Sequence, residues 1–335
     1  MSIRPLLLPF APAAPAKPEM RYLFERYFDV EEYRSDQQYD PNNTFVVVPN
    51  WDAADWCHQL YDQGFRVIID NLWELPGTWK GVKEYQSWDT DRIHVMETAN
   101  WFWYHESLRS VYVKYRPVVE PTYQHLALML LNKQKTHRTR LYESMQPWLH
   151  DCYWSYYEMG HHHVPGDLDM KDWSTQRYVN HDWYNHTCFS MVGETFVDYH
   201  SPWDGSTRWI HHCFNQPFED SDRPFVTEKT FKPIQYQHPF MVYGHSGTLK
   251  FLHNLGFETF ENLFDESYDS VVASTSIDKK KLEIIINNVK NFEKGPRDQL
   301  TQEKIQHNRA QFSNMALVES RFVKEIIEPI MEFVS

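Results

Sequence analysis

Apolar residues along this chain come in short continuous runs, separated by stretches in which they return at helical spacing. Thr44-Phe45-Val46-Val47-Val48-Pro49 has no polar alternation, as expected of a strand buried on both faces. The segment from Asp52 to Gly64 has the amphipathic spacing of a helix, with Gly64 where a C-cap belongs. Arg66-Val67-Ile68-Ile69-Asp70 predicts a second strand, and Ile93-His94-Val95-Met96 a third. The pattern breaks between Val111 and Gln124, where Pro117 and Pro121 mark a linker.

A second series follows it. His125 to Leu131 reads as a strand, Arg138 to Leu149 as a helix and Asp151 to Tyr157 as a strand. Gly160 to His186 is a polar insertion, Cys188 to Glu194 a strand, and the chain to Arg223 a loop. Thr227 to Tyr236 is helical, His238 to Tyr243 a strand and Gly247 to Asn254 a helix. From Asp278 onward Lys and Glu alternate with Ile, Leu and Val, predicting two helices broken at Gly295-Pro296. Strands alternating with helices imply parallel sheets with crossover helices, hence an α/β fold. The expected organisation is an N-terminal arm over 1–19, a Rossmann-like domain over 20–115, a second over 125–277 and C-terminal helices over 278–335.

Composition narrows the function classes. With 41% apolar and 16% aromatic residues in 335, the chain can bury two cores. Its formal charge of −13 repels phosphate backbones on average, which disfavours broad nucleic-acid binding and leaves room only for a local basic strip. Cys57, Cys152, Cys188 and Cys213 have no CxxC spacing and read as reduced thiols. No run approaches the roughly 20 apolar residues of a membrane span, and the proline-rich start is unlike a secretory leader. The expectation is a soluble, cytoplasmic protein. The tract His161-His162-His163 lacks partner spacing for a metal and reads as a solvent loop, and no metal site is expected.

The stretch from Pro224 to Ile234 holds the most chemistry. Thr227 is a good N-cap, so the free N–H groups of the following helix face the mouth of the sheet, where a diphosphate binds well. Lys229 and Lys232, three apart, share a helix face and add positive charge there. Glu228 beside them can accept both hydroxyls of a ribose, as acidic residues do in dinucleotide folds. Lys133, Lys135, Arg138 and Arg140 follow a strand and open a helix, a second phosphate-facing position.

The string Phe189 to Thr195, then Phe225-Val226-Thr227-Glu228-Lys229, then His238 to Gly244 resembles the C-terminal lobe of GT-B glycosyltransferases, in particular the α1,3-fucosyltransferase family. With Leu131 to Arg138 upstream and Gly256 to Asp269 downstream, it is also similar to glycosyltransferase-like proteins of phages and marine bacteria. The resemblance covers about residues 125–270. It implies a GT-B-like pair of Rossmann-like domains facing across a cleft. It further implies a nucleotide-sugar co-substrate without other cofactor, metal-independent transfer to an acceptor hydroxyl, Glu228 on the ribose and Lys229 near the diphosphate. Lys133 or Arg138 then supplies the family's basic residue, and Glu194 lies at the donor site. Gly193-Glu194-Thr195 departs from the fucosyltransferase pattern, which leaves the nucleotide and sugar open. The acceptor is a glycan or, second, a hydroxymethylated base in phage DNA. For the catalytic base, the N-terminal half offers Glu74 and Asp70 around Trp73 at a strand end. A GT-B-like protein that binds without catalysing is the alternative.

Overall fold

The computed structural model describes residues 5–9, 24–33, 37–41, 44–49, 59–70, 92–96, 98, 100–112, 121–132, 134–164, 181–194, 224, 226–271 and 277–335. They fall into two compact units, one within Met1–Arg109 and Met315–Ser335 and the other within Ser110–Thr207 and Phe218–Asn314. Both are mixed α/β with predominantly parallel sheets.

The first unit is built on β1 (Pro5–Pro9), β2 (Asp29–Tyr33), β3 (Phe45–Pro49), β4 (Arg66–Asp70) and β5 (Ile93–Met96), in the order β2-β1-β3-β4-β5. All four pairings are parallel. The apolar runs behave as parallel strands should: Val46, Val67, Ile68 and Ile69 are fully buried. Pro5–Pro9 was expected in an extended arm. It lies instead between β2 and β3, because Leu6-Leu7-Leu8 supplies backbone that both neighbours can pair with. Asp29–Tyr33 was not predicted as a strand.

The chain end belongs to this unit. After α1 (Trp101–Tyr112), the helix α8 (Met315–Phe322) runs through a π-turn (Val323–Ile327) into α9 (Glu328–Val334). Pro329 has no N–H for the carbonyl four residues back, and the Glu328 N–H bonds Val323 O, five back, which widens the turn. Phe322 packs on Phe24 and Tyr104, and Phe333 on Phe45 and His94. Glu325 accepts from Thr98 Oγ1 at 2.6 Å and from Asn100 Nδ2 at 3.0 Å, fixing the loop after β5. Two C-terminal helices were expected; the third stretch, α8 to α9, follows from this packing.

The second unit holds β6 (His125–Leu131), β7 (Cys152–Tyr156), β8 (His161–His163), β9 (Thr187–Gly193) and β10 (Phe240–Tyr243), in the order β10-β9-β6-β7-β8. Only β8 is antiparallel, and its three histidines are exposed on the sheet edge. The solvent-loop reading of this tract is thus corrected to an edge strand, since β7 offers it a free ladder. Between the strands lie α2 (Thr136–Met145), α3 (His181–His186) and α4 (Glu228–Gln235), and after the last strand come α5 (Thr248–Asn254), α6 (Ile277–Asn291) and α7 (Gln299–Phe312). One face of the sheet buries Phe189 against Phe264 and Phe292. Toward the other, Tyr184 stacks on Tyr236 at 4.5 Å beside Leu128 and Trp183.

Helix α5 ends in paired closing bonds, from Gly256 N to His253 O at 2.8 Å and from Phe257 N to Leu252 O at 2.9 Å, and Gly256 takes a φ of +85°. A Cβ there would stand 2.7 Å from Gln311 Nε2. Gly256→Ala is expected to cost about 1–2 kcal/mol from the left-handed backbone alone, measured as a lower urea midpoint for the full chain.

Candidate functional site

In the second unit, the chain moves from β6 to β7 on one side, whereas β9 and β10 lie on the other. Connections that leave β6 and β9 therefore diverge, which opens a crevice beyond the carboxyl ends of these strands. Helix α4 begins there, and its start is fixed by a buried carboxylate.

Glu194, directly after β9, is 0% exposed. Its carboxylate accepts from Thr227 N at 3.0 Å, Thr227 Oγ1 at 2.6 Å and Thr230 Oγ1 at 2.6 Å. Short bonds to an ionised acceptor are strong enough to offset much of the cost of burying it. The Glu194 backbone oxygen accepts from Arg138 Nε at 3.2 Å, Arg138 Nη2 at 3.0 Å and His137 Nε2 at 2.9 Å. Gly244, after β10, makes this packing possible: a Cβ there would come within 3.1 Å of Glu194 Cβ.

Glu194 and Arg138 were expected at the nucleotide; both are buried, Arg138 at 2% exposed, and the Arg138 guanidinium bonds the Glu194 carbonyl. Burial holds the Arg138 guanidinium below its ordinary range, and the Glu194 and Glu228 carboxylates offset only part of that. These are positioning residues, since a parallel-strand end that turns inward needs donors for its carbonyl. Thr227 caps α4 as expected, although its hydroxyl is engaged internally: it donates to Glu194 and receives Lys229 N at 3.4 Å and Lys229 Nζ at 3.2 Å.

Lys229 and Lys232 do face a common cleft. It holds about 390 Å³ of open space and is lined by Leu128, Leu130, Tyr184, Ser190, Val192 and Pro233 together with the two lysines. Polar and apolar surface line it in about equal measure, and the cations stand on the α4 side. Lys229 Nζ bonds Glu228 Oε1 at 2.8 Å, with about a fifth of each side chain exposed. Burial disfavours the Glu228 carboxylate, but Lys229 and Lys232 together outweigh it and bring the carboxyl down to about 2. Glu228 is thus a fixed anion beside two cations, an arrangement able to take a diol and a polyanion side by side.

The other candidates are placed less fully. Asp70 closes β4 at its carboxyl end, where its backbone pairs with Met96, and its side chain lies outside the described residues. Glu74 and Lys133 also lie outside them. Among the described residues, no group of three or more His, Cys, Asp or Glu is arranged to hold a metal ion. No helix among them is long and apolar enough to cross a membrane.

Sequence reasoning missed the cleft floor. Ser190 is the one hydroxyl in the apolar run Cys188 to Val192, a polar interruption that marks a special position in a buried strand. Its Oγ lies 2.8 Å from His238 Nδ1, and His238 Nε2 lies 2.9 Å from Thr187 O.

Compared with protein-family models and with curated proteins, the chain matches none of them.

The depressed Glu228 carboxyl has a sign. Folded near 2 against an ordinary 4.5, it adds stability that is complete above pH 4.5 and is lost as pH falls toward 2. The contribution is about 3 kcal/mol at most. Glu228→Gln is expected to flatten the acid limb of a stability–pH curve in that window; a limb of unchanged slope would show that the pairing adds nothing.

Proposed function

We propose that this chain is a glycosyltransferase that moves a sugar from a nucleotide-sugar donor to an acceptor hydroxyl, with the donor held in the second unit. The observation that carries this reading is the cleft at the switch between β6 and β9, with Lys229 and Lys232 on one side and Leu128, Leu130 and Ser190 facing it from the strands. As the sugar leaves, negative charge builds on the departing diphosphate. The two ammonium groups stabilise that charge more than they stabilise the ground state. Those lysines supply the electrostatic help that a divalent cation gives other transferases. Glu228, ionised and steered by Lys229, takes the ribose hydroxyls.

The rest of the proposal follows the resemblance. The two units form a GT-B-like pair, the first supplies the acceptor side, and Asp70 or Glu74 takes the acceptor proton. The acceptor is a glycan in first place, because the −13 charge opposes a DNA backbone, and a hydroxymethylated DNA base in second.

The test is thermal-shift binding of UDP, GDP, CDP, ADP and dTDP, with their sugars, to the unaltered chain and to Glu228→Ala and Lys229→Ala. One nucleotide should stabilise the protein by about 2.7 kcal/mol at a hundredfold excess over Kd, and both variants should lose most of that effect. No shift with any nucleotide overturns the donor site. A shift without sugar transfer or donor hydrolysis makes the chain a nucleotide-sugar binding protein instead.

A further inference from the structure

On the cleft floor each proton has one place, and with the donor-site reading above this fixes what the floor asks of a ligand. The Thr187 carbonyl can only accept, so His238 Nε2, 2.9 Å away, carries the ring hydrogen. Thr187 Oγ1, which donates to Trp183 O at 2.7 Å, is 3.4 Å from the same Nε2 and offers it lone pairs as well. Burial first, then the charge of Arg297, holds His238 well below its ordinary range, so the ring is neutral and Nδ1 is bare. Ser190 Oγ sits 2.8 Å from that bare nitrogen and holds the only proton the pair can share. The serine hydrogen is committed inward. Ser190 therefore shows the cleft an acceptor and no donor.

A serine bonded to a histidine is also the arrangement of an activated nucleophile. Here the burial and charge that keep His238 neutral oppose the imidazolium that a general base must become, so the pair is built for recognition rather than proton transfer.

We propose that Ser190 selects the nucleobase: it accepts a hydrogen bond from a ring or exocyclic N–H of a nucleoside diphosphate whose phosphates meet Lys229 and Lys232. Leu128, Leu130, Tyr184 and Val192 surround that acceptor with apolar surface. The Tyr184 ring and the apolar side chains beside it suit the face of a flat ring whose edge brings an N–H to Ser190.

The experiment is titration calorimetry on the full chain and on Ser190→Ala. The ligands are UDP, GDP, CDP, ADP, dTDP, pyrophosphate and base-N-methylated UDP, GDP and ADP. Loss of one hydrogen bond should weaken the preferred nucleotide about five- to tenfold relative to pyrophosphate in Ser190→Ala. Methylation of the donating nitrogen should weaken binding to the unaltered chain by a similar factor, and should weaken the variant little further. If Ser190→Ala does not fold, the methylated ligands on the unaltered chain decide alone. Nucleotides that bind in a Lys229-dependent way but are indifferent to methylation or to Ser190→Ala overturn the role of Ser190 and leave the donor site standing. Failure of every diphosphate to bind overturns both.

Discussion

The carboxylate of Glu194 is the point on which the second unit's cleft depends. It ties the end of β9 to the first turn of α4 through three bonds from Thr227 and Thr230, while its own carbonyl holds His137 and Arg138 at the start of α2. A charge this deeply buried is costly unless its acceptors are filled. Because Thr227 and Thr230 fill them, the start of α4 has one position, and with it the direction of Lys229 and Lys232. Removing one partner would leave a buried charge under-satisfied. That asymmetry gives the arrangement its uniqueness.

Two kinds of polar group surround the cleft, and they differ in freedom. Ser190 and His238 are locked by bonds within the sheet, to Thr187 and to one another, and offer a fixed pattern. Lys229 and Glu228 are partly exposed, hold each other at 2.8 Å and sit on long side chains that can adjust to an entering anion. A rigid acceptor sets which ring fits, and adjustable charges set how strongly the anionic end is held. The division suits a ligand with one flat and one highly charged end.

Much of the fold was legible from period alone. The runs Phe45–Val48, Arg66–Asp70 and His125–Leu131 were predicted as strands because parallel strands buried on both faces need unbroken apolar sequence. The cap at Thr227 was legible because its geometry is local. Pro5–Pro9 was misread, since prolines flank a short apolar run that pairs only when β2 and β3 are present to receive it. His161–His163 was misread for the same reason: an edge strand's polar sequence says nothing of the neighbour that pairs with it.

Sequence by itself determined the α/β alternation, the helix start at Thr227 and the cluster Glu228, Lys229 and Lys232, because each rests on residues within a turn or two of one another. Only the tertiary structure decided which polar residues face the cleft. Arg138 and Glu194, candidates through the resemblance, are buried where a strand end meets two helix starts and bond there to Thr227, Thr230 and one another. Ser190 had no local signal beyond being polar in an apolar strand; His238, forty-eight residues on, directs its proton away from the cleft and makes it an acceptor. Burial and hydrogen-bond satisfaction are set by residues distant along the chain, and that is why the sequence could name the charges but not assign their faces.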